Sequence, residues 1–213
     1  METQADRAVA LYLASGSPRR QELLQQLNVQ FEVVQAPIDE AVLPDEKPEG
    51  YVQRMAIEKA QAGFAKAFSE SPSFKTGVKS WVIGGDTAVI LGDQIFGKPA
   101  DEMDALHMLS ALSGQTHLVL SSLAIIHNGQ IFTALSSTQV TFKSLTTEDI
   151  HDYWQTGEPL GKAGSYAIQG LGARFIKMIH GSYSGVMGLP LYELDQLLIE
   201  SGYRAALKGR LNA

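Results

Sequence analysis

VALYLASGSPRR, at residues 9–20, predicts a strand, a turn and a helix in direct succession. The apolar run over residues 9–13 is typical of a buried strand. Ser17 suits the N-cap of the following helix and Pro18 its first position, and leucines then recur at helical spacing. The N-terminus of this helix is therefore expected to lie beside the carboxyl end of the strand.

Arg19 and Arg20 fall in the first turn of that helix, where the helix dipole is already positive. Two cations at this end destabilise the helix unless an anion lies beside them, and free backbone N–H groups point at the same place. The stretch therefore predicts a polyanionic ligand, most simply a phosphorylated one. Taken alone, it is equally compatible with a plain strand-turn-helix whose two arginines are solvated.

Beyond this stretch, strands and helices alternate first and strands then dominate. The pattern predicts a helix over 51–68, a buried strand over 81–83 that ends at Gly84-Gly85-Asp86-Thr87, and a long hairpin over 117–142. We therefore expect an α/β fold, in which helices flank a mixed sheet and two lobes enclose a cleft. With no repeat or linker visible, residues 9–205 are expected to form a single domain, with residues 1–8 and 206–213 as flexible termini.

The composition narrows the classes of protein to which the chain can belong. Its 213 residues carry a net charge of −6 and no cysteine. This charge argues against binding to a nucleic acid polymer or an anionic membrane, and the lack of cysteine excludes disulfides and a cysteine nucleophile. The polar N-terminus has no signal-peptide core and the apolar runs are too short to span a bilayer, so we expect a cytoplasmic location.

Two acidic positions are candidates for catalysis or metal binding. Asp86 is expected just past the carboxyl end of an apolar strand, where open α/β folds place ligands, and glycines before it allow close approach. Glu40 lies in an acidic loop, and Mg²⁺ prefers one or two carboxylates together with water and phosphate oxygens. Taken singly, each position favours the simpler alternative, which is a turn aspartate for Asp86 and a solvated loop carboxylate for Glu40.

Three further polar residues occupy suggestive positions. Lys59 interrupts the apolar stripe of a helix, so that it either extends to the helix rim or reaches into a cleft to meet phosphate. Lys98 lies between Gly97 and Pro99, which would aim it, although an exposed turn lysine is the default. Gln169 offers both a donor and an acceptor, which suits a base edge or a ribose, and backbone capping is its alternative.

Familiar nucleotide-binding and hydrolase motifs are missing from the chain. It has no Walker A loop, no Gly-x-Gly-x-x-Gly after a strand and no Gly-x-Ser-x-Gly elbow, and its histidines show no metal-ligand spacing. Ordinary nucleotide-kinase, dinucleotide-binding and serine-hydrolase interpretations are therefore weak.

Several short segments, in this order, resemble the Maf family of nucleoside triphosphate pyrophosphatases, also called septum-formation-inhibitor-like proteins. The resemblance covers about residues 11–203 and rests on Leu13-Ala14-Ser15-Gly16-Ser17-Pro18-Arg19-Arg20, Ile38-Asp39-Glu40, Glu58-Lys59-Ala60, Gly85-Asp86-Thr87, Gly97-Lys98-Pro99, Leu112-Ser113-Gly114-Gln115-Thr116-His117, Ala163-Gly164-Ser165-Tyr166-Ala167-Ile168-Gln169-Gly170, Gly181-Ser182-Tyr183 and Gly188-Leu189-Pro190. It implies a two-lobed elongated sheet, similar to that of inosine triphosphate pyrophosphatases. It also implies hydrolysis of a nucleoside triphosphate to the monophosphate and pyrophosphate.

The resemblance further implies cofactors, partners and substrate choice. The family uses a divalent metal cation, Mg²⁺ in the first place with Mn²⁺ or Co²⁺ as substitutes, and often pairs into homodimers. The Gly-Lys-Pro and Ile-Gln-Gly forms look most like the branch that acts on dTTP, UTP and modified pyrimidine nucleotides. One position departs from the family pattern Gly-Ala-Asp-Thr, since Gly85 replaces the alanine before Asp86.

Single residues acquire roles from the same resemblance. Asp86 matches the catalytic acidic residue and general base, and Glu40 matches a metal-side carboxylate that would hold the ion together with Asp86. The matches to the phosphate-binding set are Ser15, Arg19, Arg20, Lys59 and Lys98, with Ser17 of the same motif also expected to bind substrate. The matches to positions tied to nucleotide choice are Arg19, Thr87 and Gln169.

Two other functions remain open at this point. The same phosphate-binding cluster would serve a nucleotide-binding regulator of cell division with little or no turnover. It would also serve an enzyme acting on a different phosphate ester, such as a sugar phosphate, if the pocket were too small for a base.

Overall fold

The computed structural model describes residues 9–71, 74 and 78–211, with side chains through residue 208. In chain order the elements are β1 (Val9–Leu13), α1 (Pro18–Gln26), β2 (Glu32–Val33), α2 (Pro48–Glu70), β3 (Lys79–Leu91), β4 (Gln94–Phe96), α3 (Glu102–Leu112), β5 (Thr116–His127), β6 (Gln130–Phe142), α4 (Thr147–Gln155), β7 (Ile176–His180), α5 (Tyr183–Met187), α6 (Leu191–Glu200) and α7 (Tyr203–Leu211). Two short 3-10 turns, Ala163–Ser165 and Leu171–Phe175, lie between α4 and β7. The predicted flexible terminus 1–8 lies outside the described residues, and residues 206–211 of the predicted C-terminal tail belong to α7.

The strands form one mixed sheet in the order β2-β1-β3-β5-β6-β7, with β4 also paired to β3. β1 runs parallel to β2 and β3, whereas the pairs β3–β5, β5–β6 and β6–β7 are antiparallel. Asn128 and Gly129 both have positive φ angles, of 49° and 75°, which is the backbone that a tight β5–β6 hairpin requires. The predicted α/β fold, a mixed sheet flanked by helices, is confirmed.

One edge of β3 is open in its middle. On this edge β1 pairs with residues 79–83 and β4 with residues 89–91, while β5 pairs with residues 82–90 on the other edge. Within the described part of the chain, residues 84–88 have no partner strand on the first edge. The interruption leaves a cleft between two lobes, and Asp86 and Thr87 lie at its floor.

Each lobe has its own hydrophobic core. In the first lobe α1, α6 and α7 pack on the sheet around a cluster that includes Leu11, Leu23, Leu24, Trp81, Ile83, Leu194 and Leu198. In the second lobe α3 and α4 pack around a cluster that includes Phe96, Leu109, Val119, Phe142, Tyr153 and Phe175. β3, β5 and β6 run through both lobes, so the two cores share one sheet.

The predicted end of the strand at Gly84 is wrong, because β3 continues without a break to Leu91 and Asp86 lies inside it. Glycine is unfavourable in a strand, but here it allows α2 to pack directly on the sheet. Ala56 and Ala60 of α2 are completely buried against this part of β3. Gly84 therefore marks a close helix–sheet contact rather than a turn, whereas Gly85 faces Ser122 and Leu123 of β5.

α2 is 23 residues long and carries the apolar stripe that the sequence predicts, with Val52, Met55 and Ala56 fully buried. Lys59 interrupts that stripe, and its side chain emerges at the cleft beside Asp86. Among the helices in the described ranges, none combines the length and apolarity needed to cross a membrane.

Gly84→Ala should destabilise the fold by about 3 kcal/mol, whereas Gly85→Ala should change stability by less than about 1 kcal/mol. A Cβ at Gly84 would collide with the Ala56 carbonyl and lie 2.5 Å from the Ala60 nitrogen, both on the backbone of α2. At Gly85 the nearest atom would be the Ser122 carbonyl oxygen, 3.3 Å away. The free energy of unfolding in urea measures the difference, and equal values for the two variants would contradict this packing argument.

Candidate active site

All the side chains that the sequence predicts to bind substrate, metal or water line one cleft of about 690 Å³. They are Ser15, Ser17, Arg19, Arg20, Glu40, Lys59, Asp86, Thr87, Lys98 and Gln169. They come from the β1–α1 turn, the first turn of α1, the loop before α2, α2 itself, β3, the segment after β4 and the turn before β7. The structure thus brings the predicted residues together, while the role of each stays a prediction.

Lys59 joins the two candidate carboxylates. Its Nζ lies 2.7 Å from Asp86 Oδ1 and 2.7 Å from Glu40 Oε1. Lys98 Nζ lies 3.7 Å from the other oxygen of Glu40. Asp86 is 8% exposed and Lys98 is largely exposed, so the cluster extends from the cleft floor to its rim.

Arg20 is held in the cleft by neutral oxygen atoms. Its Nε donates to the Gly188 carbonyl at 2.8 Å, and its two terminal nitrogens make longer contacts of 3.4 Å with Ser15 Oγ and Thr87 Oγ1. Gly188 ends α5 with a φ of 113°, a left-handed conformation that favours glycine. The guanidinium group is therefore oriented through Nε while its terminal N–H groups keep capacity for an anion.

The N-terminus of α1 also opens into the cleft. Ser17 is its N-cap and Pro18 its first residue, as predicted, but the Ser17 side chain makes no capping hydrogen bond. Instead, the Ser17 N–H donates to Ser15 Oγ at 3.2 Å. First-turn N–H groups that no side chain caps are suited to an anion such as phosphate.

The loop that carries Glu40 is fastened to α2. Tyr51 Oη donates to the Glu40 carbonyl at 3.1 Å. Arg54 donates to both Glu46 carboxylate oxygens, at 2.6 and 2.7 Å, and to the Ala41 carbonyl at 2.9 Å. The hydrogen bonds from Arg54 to the Glu46 carboxylate lower the pKa of Glu46 to about 2. The loop is consequently held against α2 from Glu40 to Glu46.

The electric field in the cleft follows from these contacts. Burial lowers the pKa of Arg20, although the nearby charges of Asp86 and Glu40 act in the opposite direction. Burial tends to raise the pKa of Glu40, but the hydrogen bond and charge of Lys59 outweigh it and the net pKa is lowered. Burial, followed by the two carboxylates, raises the pKa of Tyr51 to about 12. At neutral pH the site therefore holds an ionised Glu40 and a neutral Tyr51.

Sequence reasoning missed further polar side chains of the cleft, among them Tyr51 and Lys162. Lys162 Nζ donates to the backbone carbonyls of Glu158 and Leu160. Burial and the positive charge of Arg19 lower its pKa. No local pattern identifies either residue as part of the cleft. Tyr51 is an ordinary residue near the start of a helix, and Lys162 lies in a long glycine-rich loop whose path the sequence does not show.

The carboxylates of Glu40 and Asp86 suit a divalent cation whose remaining coordination positions are filled by a bound substrate. Both Glu40 and Asp86 place an oxygen 2.7 Å from the same Lys59 nitrogen, so the two carboxylates lie near each other. In the described ranges no group of three or more histidine, aspartate or glutamate side chains is placed to hold a metal. Two carboxylates fit Mg²⁺ when phosphate oxygens and water complete the shell.

Similarity to known proteins covers nearly the whole chain. A family model described as Maf-like protein matches residues 10–201. A relative from Hydrogenovibrio crunogenus, named dTTP/UTP pyrophosphatase, is 48% identical over 193 residues, which cover 91% of this chain and 96% of the relative. Relatives of the same name are 49% identical in Pseudoalteromonas translucida, covering 89% and 95% of the two chains, and 51% identical in Pseudoalteromonas atlantica, covering 88% and 95%.

Proposed function

The chain belongs to the Maf family, and we propose accordingly that it hydrolyses dTTP and UTP to the nucleoside monophosphate and pyrophosphate. The predicted resemblance to this family is confirmed by the match over residues 10–201 and by relatives at about half identity along almost their full length. Those relatives carry the name of this activity, which supports it here. Modified pyrimidine nucleotides belong to the same proposal.

One observation carries the proposal at the level of the site. Cationic side chains from separate elements, Arg19, Arg20, Lys59 and Lys98, meet the carboxylates of Glu40 and Asp86 around a single cleft. A triphosphate is highly charged, so its binding needs several cations. Its hydrolysis also needs a group that accepts a proton from water. The cleft supplies both.

The first step is binding of the triphosphate tail. Arg20 is oriented by the Gly188 carbonyl and offers its terminal N–H groups to phosphate oxygens. The N-terminus of α1 offers backbone N–H groups beside it. Lys59 and Lys98 also neutralise negative charge on the phosphates. This favours attack on the phosphorus and stabilises the departing pyrophosphate.

The chemical step needs a water molecule in line with the α-phosphorus. Asp86 accepts a proton from this water or aligns it, the water oxygen bonds to the α-phosphorus, and the bond to the bridging oxygen of the β-phosphate breaks. Pyrophosphate takes the electron pair of that bond. The Lys59 contact at 2.7 Å fixes the direction of the Asp86 carboxylate, as a general base requires.

A divalent cation is part of the proposal, with Glu40 and Asp86 as the residues that would hold it. When bound, such an ion neutralises charge on the phosphates and polarises them toward attack. Lys59 contacts the same two carboxylates, so its positive charge lies beside the position that the ion would take.

The nucleobase of the substrate is expected to lie beside Gln169 and Thr87. Thr87 Oγ1 lies 2.9 Å from Ser121 Oγ, and Ser121 donates to the Gly185 carbonyl at 2.6 Å, so the threonine is held in a hydrogen-bond chain. Gln169 is exposed at the cleft and carries a donor and an acceptor. A cleft of about 690 Å³ has room for a nucleotide, which favours a nucleotide over a small sugar phosphate.

Pyrophosphate release from a panel of triphosphates tests this function. We expect kcat/KM for dTTP and UTP to exceed that for dCTP and the purine triphosphates by about 10-fold to 100-fold, because a site that hydrogen-bonds one base leaves polar groups unpaired with another. The products should be the monophosphate and pyrophosphate in equal amounts. Binding without release from any triphosphate would instead support the non-catalytic regulator, and release of orthophosphate from sugar phosphates would support the other enzyme.

A cytoplasmic location and a homodimer complete the proposal. The first is supported by the names of the relatives, whose substrates dTTP and UTP are nucleotides of the cell interior. The second is supported by the family resemblance.

A further inference from the structure

A carboxylate outside the predicted site residues fastens the turn that carries Gln169. Glu158 accepts three hydrogen bonds, from Tyr153 Oη at 2.7 Å and from the backbone N–H groups of Leu171 and Gly172 at 2.9 Å each. The chain just after Gln169 is thereby tied to a single side chain.

Tyr153 extends this network to the residues before Gln169. While its hydroxyl donates to Glu158, it accepts a hydrogen bond from the Ala167 N–H at 3.0 Å. Tyr153 is fully buried in the core of the second lobe. The backbone is therefore anchored two residues before and two residues after Gln169, and the anchor belongs to the rigid body of the lobe.

Only an ionised carboxylate satisfies this arrangement. Oε1 of Glu158 accepts from Tyr153 and Gly172, and Oε2 accepts from Leu171. Burial tends to raise the pKa of Glu158, but these hydrogen bonds lower it, and the net pKa is below its ordinary value. Glutamine would turn an NH₂ group toward one of the N–H donors and leave that donor unpaired.

The absence of a side chain at Gly170 leaves room for the Glu158 carboxylate. A Cβ at this position would collide with the Glu158 carboxylate. Because the carboxylate is the flexible end of its side chain, alanine at position 170 would displace it from the turn while the surrounding backbone stays in place. Both Glu158→Gln and Gly170→Ala therefore weaken the contact between the Glu158 carboxylate and the turn. The first changes the carboxylate and the second changes the turn.

We propose that Glu158, through Tyr153 and the turn at residues 167–172, is a positioning residue for pyrimidine selection, because it fixes the direction from which Gln169 meets the base. This inference rests on the proposed function, since it takes Gln169 to contact the base of a bound nucleotide.

The reason why direction matters lies in the chemistry of the amide. An amide turned one way matches N3–H and O4 of uracil or thymine, and turned end for end it matches N3 and the amino group of cytosine. The side chain alone therefore discriminates weakly between the two bases. A backbone turn held on both sides restricts the approach of the amide and makes one match better than the other.

The test compares wild type, Glu158→Gln and Gly170→Ala. Steady-state kinetics give kcat and KM for dTTP and dCTP, and inorganic tripolyphosphate serves as an inhibitor that has phosphates but no base. We expect both variants to raise KM for dTTP about 10-fold with kcat nearly unchanged, and to reduce the preference for dTTP over dCTP by a similar factor. Inhibition by tripolyphosphate should not change, because the cations that bind phosphate lie elsewhere in the cleft.

Two controls make the result specific. Glu148→Gln removes the same charge from an exposed position on α4 and should leave every constant unchanged. In a Gln169→Ala background, Glu158→Gln should cause no further loss of dTTP preference, because its effect passes through Gln169. Should Glu158→Gln fail to fold, Gly170→Ala carries the same comparison.

Several outcomes would overturn the inference. They are an unchanged dTTP preference in the folded variants, a loss of tripolyphosphate inhibition in step with dTTP affinity, and an additive loss in the Gln169→Ala background. In each of these cases an active wild-type enzyme leaves the proposed function standing. A wild-type protein that releases no pyrophosphate from any triphosphate overturns the proposed function, and the inference with it.

Discussion

Asp86→Asn should lower kcat for dTTP by about 10³-fold or more, since a positioned general base contributes about 10²-fold to 10⁴-fold and this carboxylate is also a proposed metal ligand. Asparagine has nearly the same shape, and Asp86 is 8% exposed inside β3, so the fold should persist. Pyrophosphate release under saturating substrate measures kcat. Calorimetric titration with a slowly hydrolysed dTTP analogue should still show binding, because a negative charge has been removed from a site for an anion.

Asp93→Asn is the matched control. Asp93 lies in the exposed β3–β4 turn on the same strand hairpin, so losing its charge should leave kcat within about twofold of wild type. Full turnover by Asp86→Asn would remove Asp86 from the mechanism. A variant that neither binds nucleotide nor melts cooperatively would assign Asp86 to the fold instead.

Removal of divalent cations should reduce turnover by about 10³-fold, because the charge stabilisation that such an ion supplies amounts to several kcal/mol. The measurement is pyrophosphate release in EDTA, followed by titration with Mg²⁺, Mn²⁺ or Co²⁺. Glu40→Gln should raise the Mg²⁺ concentration needed for half-maximal rate by about 10-fold, since one of only two candidate carboxylates is lost.

Asp45→Asn tests whether the Glu40 effect is local. Asp45 lies in the same loop, is exposed and has a φ of 59°, a conformation that asparagine tolerates as well as aspartate. Its substitution should leave the Mg²⁺ requirement unchanged. Undiminished turnover in EDTA would exclude the metal from the proposed mechanism.

The sequence predicted the parts of the site that leave a local trace. Lys59 was recognisable because it breaks the 3.6-residue period of an apolar stripe, and Arg19 and Arg20 because cations are unfavourable in the first turn of a helix. The β5–β6 hairpin followed from the backbone preferences of Asn128-Gly129. In each case the signal resided within about one turn of the residue concerned.

Features that depend on long-range packing left no such trace. The sequence pattern predicts a strand end at Gly84, because the sequence does not show that α2 packs on this residue. The 2.7 Å contacts of Lys59 with Glu40 and Asp86 join residues that are far apart in the chain, and only the family resemblance connected them beforehand. Glu158 was missed altogether, because its partners lie across a loop whose path is set by the core of the second lobe.

The open edge of β3 has a mechanical consequence. The two lobes are connected by hydrogen-bonded strands that pass beneath the cleft, and a rotation about a hinge there would break ladder hydrogen bonds between β3 and β5. Opening and closing of the protein as two rigid bodies is therefore energetically unfavourable, and the entrance must adjust through the two rim segments that lie outside the anchored parts of their loops, residues 36–39 and 159–162. Hydrogen-exchange rates should accordingly respond to bound nucleotide in those two segments and stay nearly constant along the strands between them.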